Sequence, residues 1–170
     1  KKLVSNAHGT RVAGIIYETE AYNGEQDLAC HARTGKTVRN AVMYEEGGHA
    51  YVYFTYGMHW MFNCVVGKAG YPAAVLVRAI MPAEGIETIR SIREPIQRNH
   101  WCDGPAKLTR ALGITGEHNG VDLCRSGALI TIENGYEIPD VNVSMTPRIG
   151  IENTPEPWKS KPWRFIADLS

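Results

Sequence analysis

The sequence predicts a single domain of the α+β class, in which a mostly antiparallel β-sheet is flanked by helices and carries a protruding β-hairpin. Its 170 residues, 44% of them hydrophobic and 21% charged, are enough for one hydrophobic core and too few for two. Segments rich in β-branched and aromatic residues outnumber helical ones. Short turn-like sequences join two pairs of these segments, which favours antiparallel neighbours. We therefore expect one domain over residues 1–170.

The first half of the chain is predicted to be mostly β-structure. Residues 11–22 form a β-rich run, and the polar stretch after it is predicted as an exposed loop with one helical turn. Residues 50–66 contain no charged residue and six aromatic ones, with Tyr56-Gly57 between two extended halves. This segment predicts a hairpin whose tip lies near Tyr56. Residues 73–79 follow as a third strand.

The second half is predicted to hold two helices and further strands. Isoleucines recur on one helical face within residues 84–95, and the proline at the end of this segment stops the helix. A second short helix over 105–113 has proline at its first position and glycine at its end. Residues 128–133 and 136–151 are predicted as strands, with Asn134-Gly135 as a hairpin turn between them.

Charge and cysteine content exclude several classes of protein. Eighteen basic and eighteen acidic residues give zero formal charge, which argues against a uniformly basic coat for nucleic acid. Between Leu28 and Ala83, however, five basic residues face only two acidic ones, so a local basic surface is expected. The four widely spaced cysteines predict free thiols, and no run approaches the roughly 20 apolar residues of a membrane helix. No zinc deaminase, Walker A or GxSxG motif occurs, and we expect neither metal nor cofactor.

Two charged residues in apolar strands are candidates for chemistry. Glu20 shares one strand face with Glu18 and Tyr22. That face is either solvated, or it presents Glu20 as a general base that activates water while Glu18 is structural. Arg78 is the first charge in the run of residues 73–84, where pairing with Glu20 would satisfy both groups. An arginine on an edge strand, with its charge turned outwards, fits the sequence equally well.

The aromatic hairpin is the most unusual feature. Tyr51 and Tyr53 project to one face while Phe54 and Tyr56 project to the other, so their hydroxyls cannot all be buried cheaply. Flat rings near a basic loop suit stacking on nucleobases, and a tyrosine at a hairpin tip suits insertion between base pairs. The alternative is an aromatic-rich sheet core. His31, an isolated histidine in the loop after the first strand, is compatible with a surface, a core or a binding position.

Six segments in this order resemble the alkyladenine (3-methyladenine) DNA glycosylase family over nearly the whole chain. They are YETEAYNG (17–24), ACHART (29–34), YVYFTYGMHWMFN (51–63), VLVRAIMPAEG (75–85), CDGPAKLTRALGI (102–114) and PRIGI with KPWRF (147–165). The sequence also departs from the family pattern. A helix that precedes the first strand in the family is expected to be missing, the loop after His31 is shorter and has Val38 in place of a proline, and His59 and Trp60 replace other aromatics.

The resemblance implies a role for each matched residue. It makes Glu20 the general base for the water that attacks C1′ of a flipped nucleotide, with Arg78 and the carbonyl of Ile149 holding that water. Tyr56 would fill the space that the base leaves in the duplex. The implied base pocket consists of Tyr22, His31 and Tyr53, which sandwich the base, and Asn63, which excludes guanine. The implied contacts to the DNA backbone are Lys36, Thr37, Arg39 and Lys107.

The function expected from this resemblance is a monofunctional glycosylase that acts on double-stranded DNA containing damaged purines, as a monomer and without a cofactor. 3-Methyladenine and 7-methylguanine are the expected lesions, with hypoxanthine and ethenoadenine as further candidates. The expected location is the cytoplasm of a bacterium or the nucleus of a eukaryote. Two alternatives stay open: a non-catalytic lesion-binding or nucleic-acid-binding module, and a hydrolase of free nucleosides. Glu20 and Arg78 favour an enzyme over the first, and Tyr56 favours DNA over the second.

Overall fold

A computed structural model of the chain, described over residues 1–169, contains an eight-stranded sheet and two α-helices. Every strand pair in it is antiparallel. The predicted α+β class and the mostly antiparallel sheet are therefore confirmed. The strands are β1 (Lys2–Ser5), β2 (Val12–Asn23), β3 (Ala50–Thr55), β4 (His59–Val65), β5 (Ala73–Glu84), β6 (Ile130–Glu133), β7 (Val143–Thr146) and β8 (Arg164–Ala167), and the helices are α1 (Ile86–Arg93) and α2 (Pro105–Leu112).

The long strand β2 is the centre of the sheet, whose main path runs β3-β4-β5-β2-β1-β6. One edge of β2 pairs with β5 along almost its whole length, and the other edge pairs first with β1 and then, over Glu18–Glu20, with β8. The ladder between β2 and β5 is irregular at Glu18, as in a β-bulge. The acidic part of β2 therefore lies between β5 and β8.

Two hydrophobic clusters lie on the two faces of the sheet. The larger one packs α1 and α2 on the sheet around Phe62, Ile89 and Leu108. The smaller one packs two short 3₁₀ helices, His31–Thr34 and Ala41–Tyr44, on the opposite face. Successive residues of β3 alternate between them: Tyr51 belongs to the smaller cluster and Val52 to the larger.

The hairpin and both helices are confirmed close to their predicted bounds. β3 and β4 pair from Ala50↔Cys64 to Thr55↔His59, so the turn is at residues 56–58. Helix α2 begins at Pro105, and Gly113 ends it in the left-handed conformation with φ of 67°. The third strand is longer than predicted, because β5 continues through Pro82 to pair with the start of β2.

The predicted hairpin turn at Asn134-Gly135 is wrong, and so is one continuous strand over 136–151. β6 pairs with β1 instead, and Gly135 lies so close to Lys1 that a Cβ there would be 3.0 Å from the Lys1 carbonyl carbon. Only residues 143–146 of the second segment are a strand, and their partner is β8. Both partners, β1 and β8, are four-residue strands that were not predicted, and they take the positions that the hairpin would have needed.

The predicted free thiols are confirmed: Cys30 and Cys102 are buried, Cys64 is half-buried and Cys124 is exposed. Within residues 1–169, no helix is long and apolar enough to cross a membrane. The same residues contain no group of three or more His, Cys, Asp or Glu side chains placed to hold a metal ion.

Candidate active site

A cavity of about 310 Å³ lies beside the smaller core cluster, between the long strands and residues 149–151. It brings together every residue that was predicted for catalysis, for the base pocket and for intercalation. These residues are Glu20, Tyr22, His31, Tyr53, Tyr56, Asn63, Arg78 and Ile149. Met43, Tyr51 and Leu76 from the core also line its wall, and α2 contributes Pro105.

Glu20 is the most buried charged group in this wall, with no solvent-exposed surface. Its Oε1 accepts a hydrogen bond of 2.7 Å from the backbone N–H of Ile149, and its Oε2 accepts one of 2.9 Å from the Tyr22 hydroxyl. Nη1 of Arg78 lies 3.3 Å from Oε1. These donors stabilise a buried carboxylate. The alternative in which this strand face is solvated is therefore wrong.

Arg78 pairs with Glu20 as predicted, but its shorter contact is with another carboxylate. Its Nε donates to Oε1 of Glu18 over 2.7 Å, and its side chain is 13% exposed. β5 lies between β4 and β2, so the alternative of an arginine on an edge strand is wrong. The second arginine on Glu18 is Arg164 of β8, whose Nε also lies 2.7 Å from Oε1. The two carboxylates and two guanidiniums form one partly buried charge cluster.

The segment that carries Ile149 is fixed by a buried ion pair. The guanidinium of Arg148 forms two bonds, of 2.5 and 2.8 Å, with the carboxylate of Asp27, and neither side chain is exposed. Arg148 also donates to the carbonyl of Ala21 over 2.9 Å and lies 4.7 Å from the centre of the Tyr22 ring. This pair holds the backbone N–H of Ile149 on Glu20. The predicted part of the Ile149 carbonyl in holding water stays a prediction.

Aromatic rings form the rest of the cavity wall. His31 and Tyr53 meet edge to face, with ring centres 4.5 Å apart. Nδ1 of His31 lies 2.9 Å from the hydroxyl of Tyr51, a ring buried in the core. Burial, and to a smaller degree Arg39 and Arg33, lower the pKa of His31. Burial also raises the pKa of Tyr53 to about 12, so its ring is uncharged at neutral pH.

Asn63 is fixed at the edge of the same cavity. It is 3% exposed, and its Nδ2 donates to the carbonyl of Tyr51 over 3.1 Å. One amide hydrogen is therefore taken by the backbone of the neighbouring strand, where Tyr51 is its cross-strand partner. A side chain held in this way cannot easily move aside for a bulkier ligand.

The hairpin tip combines exposure with an unfavourable backbone conformation. Tyr56 is 81% exposed and has φ of 52°, the left-handed region. Within residues 1–169 it is the one residue other than glycine with a positive φ. Such a conformation costs roughly 1–2 kcal/mol for a residue with a Cβ. Phe54 and Met58 beside it are 43% and 69% exposed, so the tip presents an apolar surface at the mouth of the cavity.

Comparison with known proteins decides which family has this arrangement. The model of the methylpurine-DNA glycosylase family matches residues 1–170. The chain belongs to this family. A relative from Methanocella arvoryzae is 47% identical over 166 residues, which are 97% of this chain and 81% of the relative. Relatives from Burkholderia lata and Francisella tularensis are 46% and 41% identical and cover 93% and 96% of this chain and 76% and 82% of their own. Each is named "Putative 3-methyladenine DNA glycosylase".

Family membership confirms the resemblance that the six sequence segments indicated. It supports the function of a DNA glycosylase, a hydrolase that acts on DNA. The roles of individual residues stay predictions. What the structure adds is that the residues matched to the family's catalytic and base-binding positions line one cavity.

The four predicted contacts to the DNA backbone lie outside the cavity wall. Lys36, Thr37 and Arg39 are exposed in the loop after the first 3₁₀ helix. Arg39 donates to the carbonyl of Phe54 over 2.9 Å, which ties this loop to the hairpin. Lys107, in contrast, lies 2.7 Å from Asp103 and is neutralised by it. A phosphate contact by Lys107 would have to compete with that ion pair.

Sequence reasoning missed the residues that hold the side chains of the candidate site in place. These are Asp27, Tyr51, Arg148 and Arg164, and Glu18 in its contacts with two arginines. The missed pairs join residues far apart in the sequence: Asp27 and Arg148 are 121 positions apart, and Glu18 and Arg164 are 146 apart. Within the sequence, Glu18 and Arg164 are charges in segments that are otherwise apolar or aromatic. Asp27 lies in a polar stretch and Tyr51 carries no charge, so neither has such a signal.

Proposed function

We propose that this chain is a monofunctional DNA glycosylase that takes damaged purines out of duplex DNA and hydrolyses their N-glycosidic bond with a water activated by Glu20. The observation that carries the proposal is the buried Glu20 carboxylate, held by Tyr22, Ile149 and Arg78 in the wall of an aromatic cavity. 3-Methyladenine and 7-methylguanine are the proposed main lesions. Hypoxanthine and ethenoadenine are proposed as further substrates.

The donors around Glu20 leave room for one water. A carboxylate has about four lone-pair positions. The Tyr22 hydroxyl and the Ile149 N–H take two of them by hydrogen bonds, and the guanidinium of Arg78 lies against a third at 3.3 Å, so one position is available to accept the proton of an attacking water. Because Glu20 has no exposed surface, bulk solvent does not reach it. The attacking water is therefore one that is bound within the wall of the site. The proton moves to Glu20 as the oxygen attacks C1′, while the bond between C1′ and the purine nitrogen breaks and the base leaves with the bonding electrons.

The same carboxylate stabilises the transition state. Cleavage of the glycosidic bond develops positive charge on the sugar, and a nearby buried negative charge lowers the energy of that state, as in glycosidases. The described cavity wall contains no lysine, which supports direct attack by water rather than by an amine. We therefore propose that no strand-cleaving step follows, and trapping of a covalent adduct with borohydride would contradict this.

The aromatic wall favours alkylated bases. A purine methylated at a ring nitrogen carries positive charge, and stacking of a cation on Tyr22 or Tyr53 contributes about 0.5–2 kcal/mol when desolvated. His31 does not repel this charge, since burial lowers its pKa and favours the neutral ring. Asn63, fixed by its bond to Tyr51, is proposed to crowd the exocyclic amine of guanine.

The hairpin tip supports action on duplex DNA. Flipping a nucleotide costs a few kcal/mol and leaves a gap in the base stack. We propose that the ring of Tyr56, which is exposed and lines the cavity, fills this gap. Lys36, Thr37 and Arg39 would contact the backbone nearby, and Lys107 after release from Asp103. We propose that the chain acts as a monomer without a cofactor, in the cytoplasm if it is bacterial and in the nucleus if it is eukaryotic.

The decisive experiment compares the parent protein with Glu20→Gln on a duplex oligonucleotide that contains one hypoxanthine or ethenoadenine, and on methylated DNA. Release of the base leaves an alkali-labile site, which is expected with the parent and absent with the variant, while both bind the lesion. Glu25→Gln is a matched control, because Glu25 also accepts from a tyrosine hydroxyl, at 2.8 Å, but outside the cavity. Tight lesion binding without release by any of the proteins would support the alternative of a non-catalytic binding module.

A further inference from the structure

The carboxylate of Glu18 is a junction for two arginines. Its Oε1 accepts from Nε of Arg78 and from Nε of Arg164, both over 2.7 Å. The side chain of Glu18 is 12% exposed, and its backbone lies at the irregular position in the ladder between β2 and β5. Arg164 also donates to Thr146 over 3.3 Å, which connects the cluster to β7. Arginines from two other strands, β5 and β8, thus meet on Glu18, and β7 is connected to it through Arg164.

The orientation of Arg78 depends on this junction. Guanidinium groups favour a bidentate bond to one carboxylate, with two parallel N–H groups on its two oxygens. Arg78 does not adopt it with either glutamate: Nε is on Glu18, and Nη1 is 3.3 Å from Oε1 of Glu20. The shorter bond, to Glu18, keeps Arg78 from turning towards Glu20, so that Glu20 receives a single, longer contact from it. If Glu18 lost its charge, Arg78 would turn to Glu20 and occupy both oxygens.

We infer that Glu18 is a positioning residue for the hydrolysis: it holds Arg78 by Nε and so keeps one lone-pair position of Glu20 open to the attacking water. The inference rests on the proposed function. Arg164 also contributes, because it holds Glu18 in place and its positive charge balances the second of the two carboxylates in the cluster. Among residues 1–169, the hydrogen-bond donors to Glu20 are the Tyr22 hydroxyl and the Ile149 N–H, and neither contacts Glu18.

The test is a double-mutant cycle on Glu18→Gln and Arg78→Gln. The readout is the single-turnover rate of hypoxanthine release from a duplex oligonucleotide, with the enzyme in excess. Glu18→Gln alone is expected to lower this rate about 10- to 100-fold, as small misplacements in active sites do, with lesion binding changed less than about twofold. In the Arg78→Gln background, Glu18→Gln is expected to cause no further loss, because its effect passes through Arg78.

A merely structural role predicts something else. Glu18→Gln would then lower the rate by the same factor in both backgrounds, and that result would overturn the inference. Glu133→Gln is the matched control. It removes the 2.8 Å ion pair between Glu133 and Arg11, at the far end of the sheet, and should leave the rate unchanged.

Two further outcomes have a definite meaning. If Glu18→Gln does not fold, the double variant Glu18→Gln/Arg164→Gln removes one charge of each sign and keeps the cluster neutral. It is expected to fold and to release base as slowly as predicted for Glu18→Gln, and a parental rate would refute the inference. If the parent itself releases no base, the proposed function fails, and the inference fails with it. If the parent is active but the losses caused by Glu18→Gln and Arg78→Gln are additive, the inference is contradicted and the proposed function is not.

Discussion

The buried pair of Asp27 and Arg148 makes a strong prediction about stability. In Asp27→Asn the guanidinium of Arg148 stays in a site where neither side chain is exposed, and it loses two short bonds to a carboxylate. Removal of one partner from a buried ion pair costs about 3–5 kcal/mol, because the other charge stays buried. Arg148 keeps its bonds to the carbonyls of Ala21 and Trp158 and its contact with the Tyr22 ring. We therefore expect the lower end, about 3 kcal/mol.

Such a loss is large for a protein of this size. Domains are stable by about 5–15 kcal/mol. For 150–250 residues, each kcal/mol lowers Tm by about 2–4 °C, so Asp27→Asn should lower it by roughly 6–12 °C. Base release should fall as well at temperatures where the variant is folded, since Arg148 fixes the Ile149 N–H that donates to Glu20 over 2.7 Å.

Urea unfolding monitored by circular dichroism measures the loss of stability. Base-release rates of the same folded proteins measure the loss of activity. Glu87→Gln is the control, because it removes the exposed pair between Glu87 and Arg90, 2.9 Å long, which should contribute less than about 1 kcal/mol. The double variant Asp27→Leu/Arg148→Met should recover much of the stability that Asp27→Asn loses, because no charge stays buried. It should not recover base release. An Asp27→Asn protein within 1 kcal/mol of the parent would refute the reasoning.

Three other predictions concern the cavity and its mouth. Tyr56→Ala should slow base release from a duplex more than from an unpaired lesion, because the gap in the stack is left unfilled; equal losses on both would refute the wedge role. Asn63→Ser should raise the release of guanine at least about tenfold relative to hypoxanthine, and unchanged ratios in a competition assay would reject the exclusion role. Because the folded-state pKa of His31 is lowered from 6.5, stability should fall as the pH falls below that value. Urea midpoints at pH 8 and pH 5 should therefore differ less in His31→Gln than in the parent, and an equal difference would contradict the role of burial.

Elements that carry their own local signals could be predicted from the sequence. α2 has proline at its first position and glycine after its last, and the hairpin β3–β4 has a charge-free run on either side of Tyr56-Gly57. The wrong turn at Asn134-Gly135 shows the limit of such signals. That dipeptide favours a tight turn, but a hairpin also needs the next segment to pair with β6. β1 provides that edge instead and buries Leu3 and Val4 completely.

The composition of the candidate site was predictable to a similar degree. Motif resemblance could bring Glu20 and Arg78 into one candidate site, because each stands in a segment with a specific pattern, and their catalytic roles stay predictions. It could not reveal which groups hold them, since Arg164 and Arg148 come close to β2 only after the C-terminal segment has folded back on it. Burial of Glu20 is possible because donors from three parts of the chain meet there. The sequence shows those donors as unrelated residues.

The conformation of Tyr56 bears on the choice between DNA and free nucleosides as substrate. Glycine or asparagine at this position would form the same turn without the roughly 1–2 kcal/mol that a left-handed tyrosine costs. The ring does not offset that cost by packing, since it is 81% exposed. A hydrolase of free nucleosides would gain nothing from an exposed ring at the mouth of its cavity. In a protein that must keep a nucleotide out of a duplex, stacking of the ring on the neighbouring bases offsets this cost. DNA as the substrate therefore predicts strongly salt-dependent binding to duplex oligonucleotides, which a hydrolase of free nucleosides would not show.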